Sequence, residues 1–299
     1  MFGSLVIIFP TPHEGGELVI RRHREDDTKE WTVDSTRLLT GATEPSIAYV
    51  AFYSDTEHEV LPVRSGYRVT LTYNLYYVKN NLQAPTHPVL KPVPTNEDSF
   101  RSALQRALDD EKFLPEGGNL MFCFHHKYPL PTDETSAEKG KQALQNVTAC
   151  LKATDAVMWK VVKELKLDAS PKVLYEDRNE HLDVMCDRVY PLQDEDQVEG
   201  SLSSFLEYHA GGRSLRIAGS RARPWEERPY SYRKKRVEVE WVNYRYYKFM
   251  SGDGEKTTYM AYGNQASIGV AYWKICMFVR VGPPGKRDVP LPDHVDSDE

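Results

Sequence analysis

A mainly β first part followed by an α+β region is the fold class this sequence predicts, and three observations carry it. Strand-like runs separated by Gly/Pro turns fill the first 80 residues, a proline-rich stretch interrupts the chain, and helical periodicity then mixes with strand candidates. At 299 residues the chain has the length of about two domains, each able to bury a core. The predicted parts are a β unit over 1–80, a linker over 81–97, an α+β region over 98–282 and a disordered tail over 283–299.

Ser4–Phe9 (SLVIIF) is continuously apolar, as a strand covered on both faces requires. It opens the chain with no polar lead-in, although termini are usually solvated, so the expectation is that its upstream neighbour precedes Met1. Gly15-Gly16 turns the chain into the strand Glu17–Ile20, and a charged turn leads to Trp31–Asp34. Ile47–Tyr53 (IAYVAFY) is predicted as a second buried strand on its β-branched and aromatic content. Tyr67–Tyr77 alternates with Val69, Leu71, Tyr73 and Leu75 on one side, which predicts a strand with that face covered. Short strands with little helix predict a sandwich or barrel.

Residues 80–97 hold four prolines and read as a surface crossing. Asp98-Ser99 then caps a helix whose Phe100, Ala103, Leu104, Ala107 and Leu108 follow the 3.6 period. Further helices are predicted over Ser136–Lys152 and Asp155–Leu167, with strands at Asn119–His125, Lys172–Tyr175, Arg236–Val242, Thr257–Tyr262 and Trp273–Val281. Gly15-Gly16-Glu17-Leu18 recurs loosely as Gly117-Gly118-Asn119-Leu120, a weak sign of duplication. The Pro- and Asp-rich composition of Pro283–Glu299 predicts disorder.

The charge of −6 argues against a dedicated nucleic-acid binder. No apolar run reaches the ~20 residues that span a bilayer, and no basic n-region marks a secretory leader. Cys123, Cys150, Cys186 and Cys276 form no CxxC pair, so they read as reduced thiols of a cytoplasmic or nuclear protein.

The chemistry concentrates in Ser54–Tyr73, SDTEHEVLPVRSGYRVTLTY. His58 follows a strand and a turn, and Arg68 lies ten residues on, where the next strand begins. Neighbouring strands can bring this imidazole and guanidinium into one pocket, the first suited to Fe(II) and the second to a carboxylate. Thr70 shares the strand face of Arg68 and can donate to the same carboxylate.

GGELVI, then W-x-V-D, then SDTEHEVLPVRSGYRVTLTY resembles the iron- and 2-oxoglutarate-dependent dioxygenases of the prolyl 4-hydroxylase type, and among them a group of uncharacterised fungal proteins. The resemblance covers roughly residues 1–78; HHKYP (125–129), LKATDAVMWKV (151–161) and YGNQAS (262–267) are similar to the same group. It implies a double-stranded β-helix, a distorted jelly roll, with Fe(II) and 2-oxoglutarate as cofactors. His58 would be the distal histidine of the iron triad, Arg68 would pair with the distal carboxylate of 2-oxoglutarate, and Thr70 would assist it. The implied reaction is hydroxylation of a peptide or protein side chain, with succinate and CO2 as co-products.

The facial triad also needs a His-x-Asp pair, which the resemblance places before Met1, so two of the three iron ligands are expected to be missing from this chain. Four other pairs carry ligand-type residues, and each lacks a requirement of the triad. His23-x-Glu25 sits in a charged turn, His13-Glu14 lacks the spacing, His181-x-Asp183 follows the wrong order, and His125-His126 point to opposite faces of a strand. The alternative reading is a non-catalytic remnant of the fold that binds protein or nucleic acid. Eleven Lys/Arg against four Glu between Arg213 and Lys248, interleaved with Trp225, Tyr230, Tyr232, Trp241, Tyr244, Tyr246 and Tyr247, give that reading a candidate surface. Arg233–Arg236 adds a short nuclear-localisation-like run.

Overall fold

A computed structural model describes residues 3–22, 29–40, 43–76, 96–131, 136–177, 180, 182–190, 201–218, 236–243, 270–273 and 275–290. The chain is mostly strands, divided into two compact units, Met1–Pro88 and Val89–Glu299.

Described elements of the first unit are β1 (Gly3–Ile8), β2 (His13–Gly15), β3 (Leu18–Arg22), β4 (Lys29–Val33), α1 (Ser35–Leu39), β5 (Ala48–Tyr53), β6 (Glu57–Val60), β7 (Val63–Gly66) and β8 (Thr70–Leu75). The apolar β1 takes the centre of an antiparallel sheet, β5-β1-β8; a second sheet runs β4-β3-β6, and β2 pairs with β7. Asp34, expected to end a strand, instead caps α1 by accepting from the Arg37 amide at 3.0 Å.

Three expectations about burial fail here. Ser4–Phe9 is not covered on both faces: within β1 only Gly3 and Ile8 are buried, and Phe9 is 37% exposed. Ile47–Tyr53 is not a buried strand: β5 alternates, and Tyr49 is 72% exposed. The face of β8 expected to be covered is the open one, with Leu71 43% and Tyr73 47% exposed. Register puts Tyr49, Ala51 and Tyr53 of β5 on the same side as Leu5 and Ile7 of β1 and Leu71, Tyr73 and Leu75 of β8. On that side Tyr49, Leu71 and Tyr73 are exposed, while Leu5, Ile7, Tyr53 and Leu75 are half-buried. The other side carries Phe52, Val6, Ile8 and Thr70; there Ile8 is fully buried, and Phe52 touches His58 of β6 across the sheets.

Described elements of the second unit are α2 (Glu97–Asp109), β9 (Gly118–Cys123), β10 (Tyr128–Pro131), α3 (Ala137–Val147), α4 (Ala153–Glu164), β11 (Asp168–Asp177), β12 (Leu182–Cys186), α5 (Leu202–His209), β13 (Arg213–Ile217), β14 (Val237–Trp241), β15 (Val270–Trp273) and β16 (Ile275–Val281). Six of them close a barrel in the order β11-β12-β13-β14-β9-β16, with β13–β14 and β14–β9 parallel. The period of two sends Met121, Cys123, Leu174, Met185, Leu215, Val237, Val239, Cys276 and Phe278 into one apolar cluster drawn from all six strands, the barrel interior. Alternate residues such as Phe122, Val173 and Val279 join a second cluster with Leu104, Leu144, Val161, Val162 and Leu206 from the helices.

The predicted helix Ser136–Lys152 ends early, α3 giving way to a 3₁₀ turn at Thr148–Cys150. The predicted strand Trp273–Val281 splits, β15 pairing with β10 while β16 enters the barrel. Part of the expected disordered tail is ordered: Arg287 donates to the backbone carbonyls of Leu108, Asp110, Phe113, Leu114 and Gly282, which ties residues 282–290 to the end of α2. The strand expected over 257–262 and the tail from 291 on lie outside the described residues.

Candidate functional site

His58 sits on β6 opposite Ile20 of β3, with its ring centroid 4.4 Å from that of Phe52. Its Nδ1 lies 2.9 Å from the Thr56 carbonyl. A carbonyl only accepts, so Nδ1 is the donor of this bond, on an exposed ring.

Arg68 lies between β7 and β8. Its Nε is buried and makes no hydrogen bond with the described residues, and burial without a counter-charge pushes the guanidinium below its ordinary pKa. The seat is made by Gly16, whose φ is +74°. A Cβ there would stand 2.6 Å from Arg68 Cδ and 3.4 Å from Nε, so the Gly15-Gly16 pair provides the space as well as the turn. Thr70, the first residue of β8, pairs with Ile8 on the same sheet side as Phe52. Thr70 and the Phe52 ring beside His58 therefore share one side of the β5-β1-β8 sheet. Gly16 lies two residues before β3, and Ile20, the partner of His58, is the third residue of that strand.

A surface depression of about 610 Å³ in this unit lies elsewhere: Thr11, His13, Ser35, Thr36, Ser65 and Gly66 line it, and none of His58, Arg68 or Thr70 does. The buried Arg68 Nε, without a partner among the described residues, marks a ligand position better than this hollow, because a shallow open surface fixes no ligand. His13 is not a spare metal ligand. Its Nδ1 is 2.7 Å from the Thr11 carbonyl and its Nε2 3.3 Å from Ser35 Oγ, which occupies both nitrogens and holds α1 against β2.

His125 is held in the second unit, where the buried Asp155 accepts from the His125 and His126 amides at 2.8 and 3.0 Å, from the Tyr128 hydroxyl at 2.9 Å and lies 3.2 Å from His125 Nδ1. In the sequence Asp155 reads only as a helix start, and its one signal is an acidic residue in the first turn of α4. His23 and Glu25 lie outside the described residues, as does His181, while Asp183 belongs to β12. Most of the basic–aromatic stretch 213–248 is likewise outside; of what is described, Arg216 pairs with Glu238 at 2.5 Å.

Among the described residues no group of three or more His, Cys, Asp or Glu is placed to hold a metal ion, and His58 alone does not make an iron site. Among them, too, no helix is long and apolar enough to cross a membrane. Compared with models of protein families, with curated proteins and with solved structures, the chain gives no match.

Proposed function

We propose that the first unit is the co-substrate-binding part of a 2-oxoglutarate oxygenase-type module with the strand arrangement of a jelly roll. In this reading Arg68 and Thr70 hold the distal carboxylate of 2-oxoglutarate, and His58 borders the opposite end of the ligand. The observation that carries it is the buried Arg68 Nε with no partner among the described residues, seated where Gly16 leaves room for it. A desolvated guanidinium is costly until a carboxylate accepts from it, and the planar fork suits a bidentate partner. The described residues do not fit Fe(II), so no oxidative step is derived, and hydroxylation of a peptide or protein remains the expectation of the resemblance alone.

A second reading, a binding or scaffold module without catalysis, is favoured by the open apolar side of β5-β1-β8, with Tyr49, Leu71 and Tyr73 exposed. Anaerobic calorimetric titration of the full chain with 2-oxoglutarate, with and without Mn(II), separates the two. Binding that Arg68→Ala abolishes and that Mn(II) leaves unchanged supports the co-substrate site. Binding that Mn(II) strengthens only while His58 is present adds the metal. An absence of 2-oxoglutarate binding under both conditions leaves the scaffold reading.

A further inference from the structure

We propose that Cys123 and Cys276 are an oxidative modification site, a pair that closes into a disulfide across β9 and β16 inside the barrel of the second unit. The two are direct partners in the antiparallel ladder. Both side chains belong to the interior cluster, and neither is more than 1% exposed. Partners in such a ladder alternate between hydrogen-bonded and non-hydrogen-bonded pairs, and the latter bring their side chains closer.

Two independent observations assign the Cys123–Cys276 pair to the closer kind. The next rung, Phe124 with Ile275, is hydrogen-bonded, the Phe124 amide donating to the Ile275 carbonyl at 3.0 Å. Cys123 turns both of its own backbone groups away from β16: its amide donates to Asn243 Oδ1 at 2.7 Å, and its carbonyl accepts from Asn243 Nδ2 at 2.8 Å. Partners of that kind have Cα atoms about 4.5 Å apart. Disulfides span Cα separations of about 4.4–6.8 Å, so the bond needs rotation of two side chains and no rearrangement of strands. Asn243 clamps the Cys123 backbone from the far side and holds it in register with Cys276.

The other cysteines are placed differently. Cys186 joins the helix-side cluster, with burial pushing its thiol up to about 12, and Cys150 is half-buried on a 3₁₀ turn. Cys123 ends β9 and Cys276 is the second residue of β16, so opening the last rungs of one ladder end admits a small oxidant without unfolding the barrel.

With hydrogen peroxide as oxidant, one thiolate attacks a peroxide oxygen, giving a sulfenic acid and hydroxide. The second sulfur then attacks the sulfenic sulfur and expels its oxygen as water. Overall two thiols and one peroxide become one disulfide and two waters.

The test treats the native full chain with a modest excess of hydrogen peroxide, alkylates the remaining thiols, and maps peptides without reductant. The expected result is a Cys123–Cys276 cross-linked peptide, a mass lower by two hydrogens, loss of two of the four thiols and full reversal by dithiothreitol. The same treatment of Cys150→Ala gives the same link, and the oxidised chain unfolds at a higher denaturant concentration than the reduced one. Recovery of both Cys123 and Cys276 alkylated after Cys150 has been consumed overturns the proposal. A link that forms only in urea also overturns it, because that is pairing by an unfolded chain.

Discussion

Replacing Arg68 with methionine separates what the guanidinium does for binding from what it costs the fold. Methionine keeps an unbranched stem beside Gly16 and removes the buried Nε. A buried donor without a partner costs about 1–3 kcal/mol; the Arg68 head is half-buried and partly screened, which puts the recoverable part near about 1 kcal/mol. Without ligand, Arg68→Met is therefore more stable than the parent. Hydrogen exchange over residues 57–75 reports the first unit by itself, and about 1 kcal/mol slows exchange through its opening about fivefold. The ligand reverses the order. A charge-assisted pair worth about 3 kcal/mol corresponds to about a hundredfold in Kd, so 2-oxoglutarate protects the parent and leaves Arg68→Met unchanged. Faster exchange in Arg68→Met together with retained protection by 2-oxoglutarate would refute the reasoning, since Arg68 would then be a structural residue with no carboxylate to hold.

Asp155→Ala removes the acceptor of two backbone amides and the Tyr128 hydroxyl in a buried site, with an expected loss of about 3–5 kcal/mol in urea unfolding of the second unit. Arg287→Ala frees five backbone carbonyls at the end of α2, an expected loss of about 2–3 kcal/mol by thermal unfolding, and Arg287→Lys recovers little because an ammonium cannot reach them in one plane. Lys160 and Arg101 hold the Glu97 carboxyl below its ordinary pKa of 4.5. The folded value is the lower one, so this stabilisation is present above about pH 4.5 and is lost as pH falls through the folded value. Denaturant midpoints measured between about pH 7 and about pH 3 should therefore fall less steeply in Glu97→Gln than in the parent.

Local pattern was enough for the elements whose own residues decide them. Phe100, Leu104 and Leu108 announce α2, and the uninterrupted apolar run Leu5–Ile8 announces a strand, though not how much of it is covered. Alternation in β8 was equally plain, but period two says only that the faces differ. Which one is covered depends on the layer stacked against it. In this protein Leu71 and Tyr73 are open, and the inner side carries Thr70 beside the fully buried Ile8. Barrel closure through the parallel contacts of β14 with β13 and β9 joins segments too far apart in sequence for any window to register.

The candidate site divides in the same way. Its residue types, His58, Arg68 and Thr70, were legible because the functional groups and their spacing are properties of one short stretch. The seat that Gly16 makes for Arg68, the Phe52 ring beside His58, the two bonds that employ His13 and the four bonds on Asp155 were not, because each joins residues from separate elements. By itself the sequence determined which chemistry is at hand and which elements carry it. Only the tertiary structure decided which groups are left without a partner, which faces stay open and which cysteines stand opposite one another, since burial and pairing are properties of contacts distant in the chain.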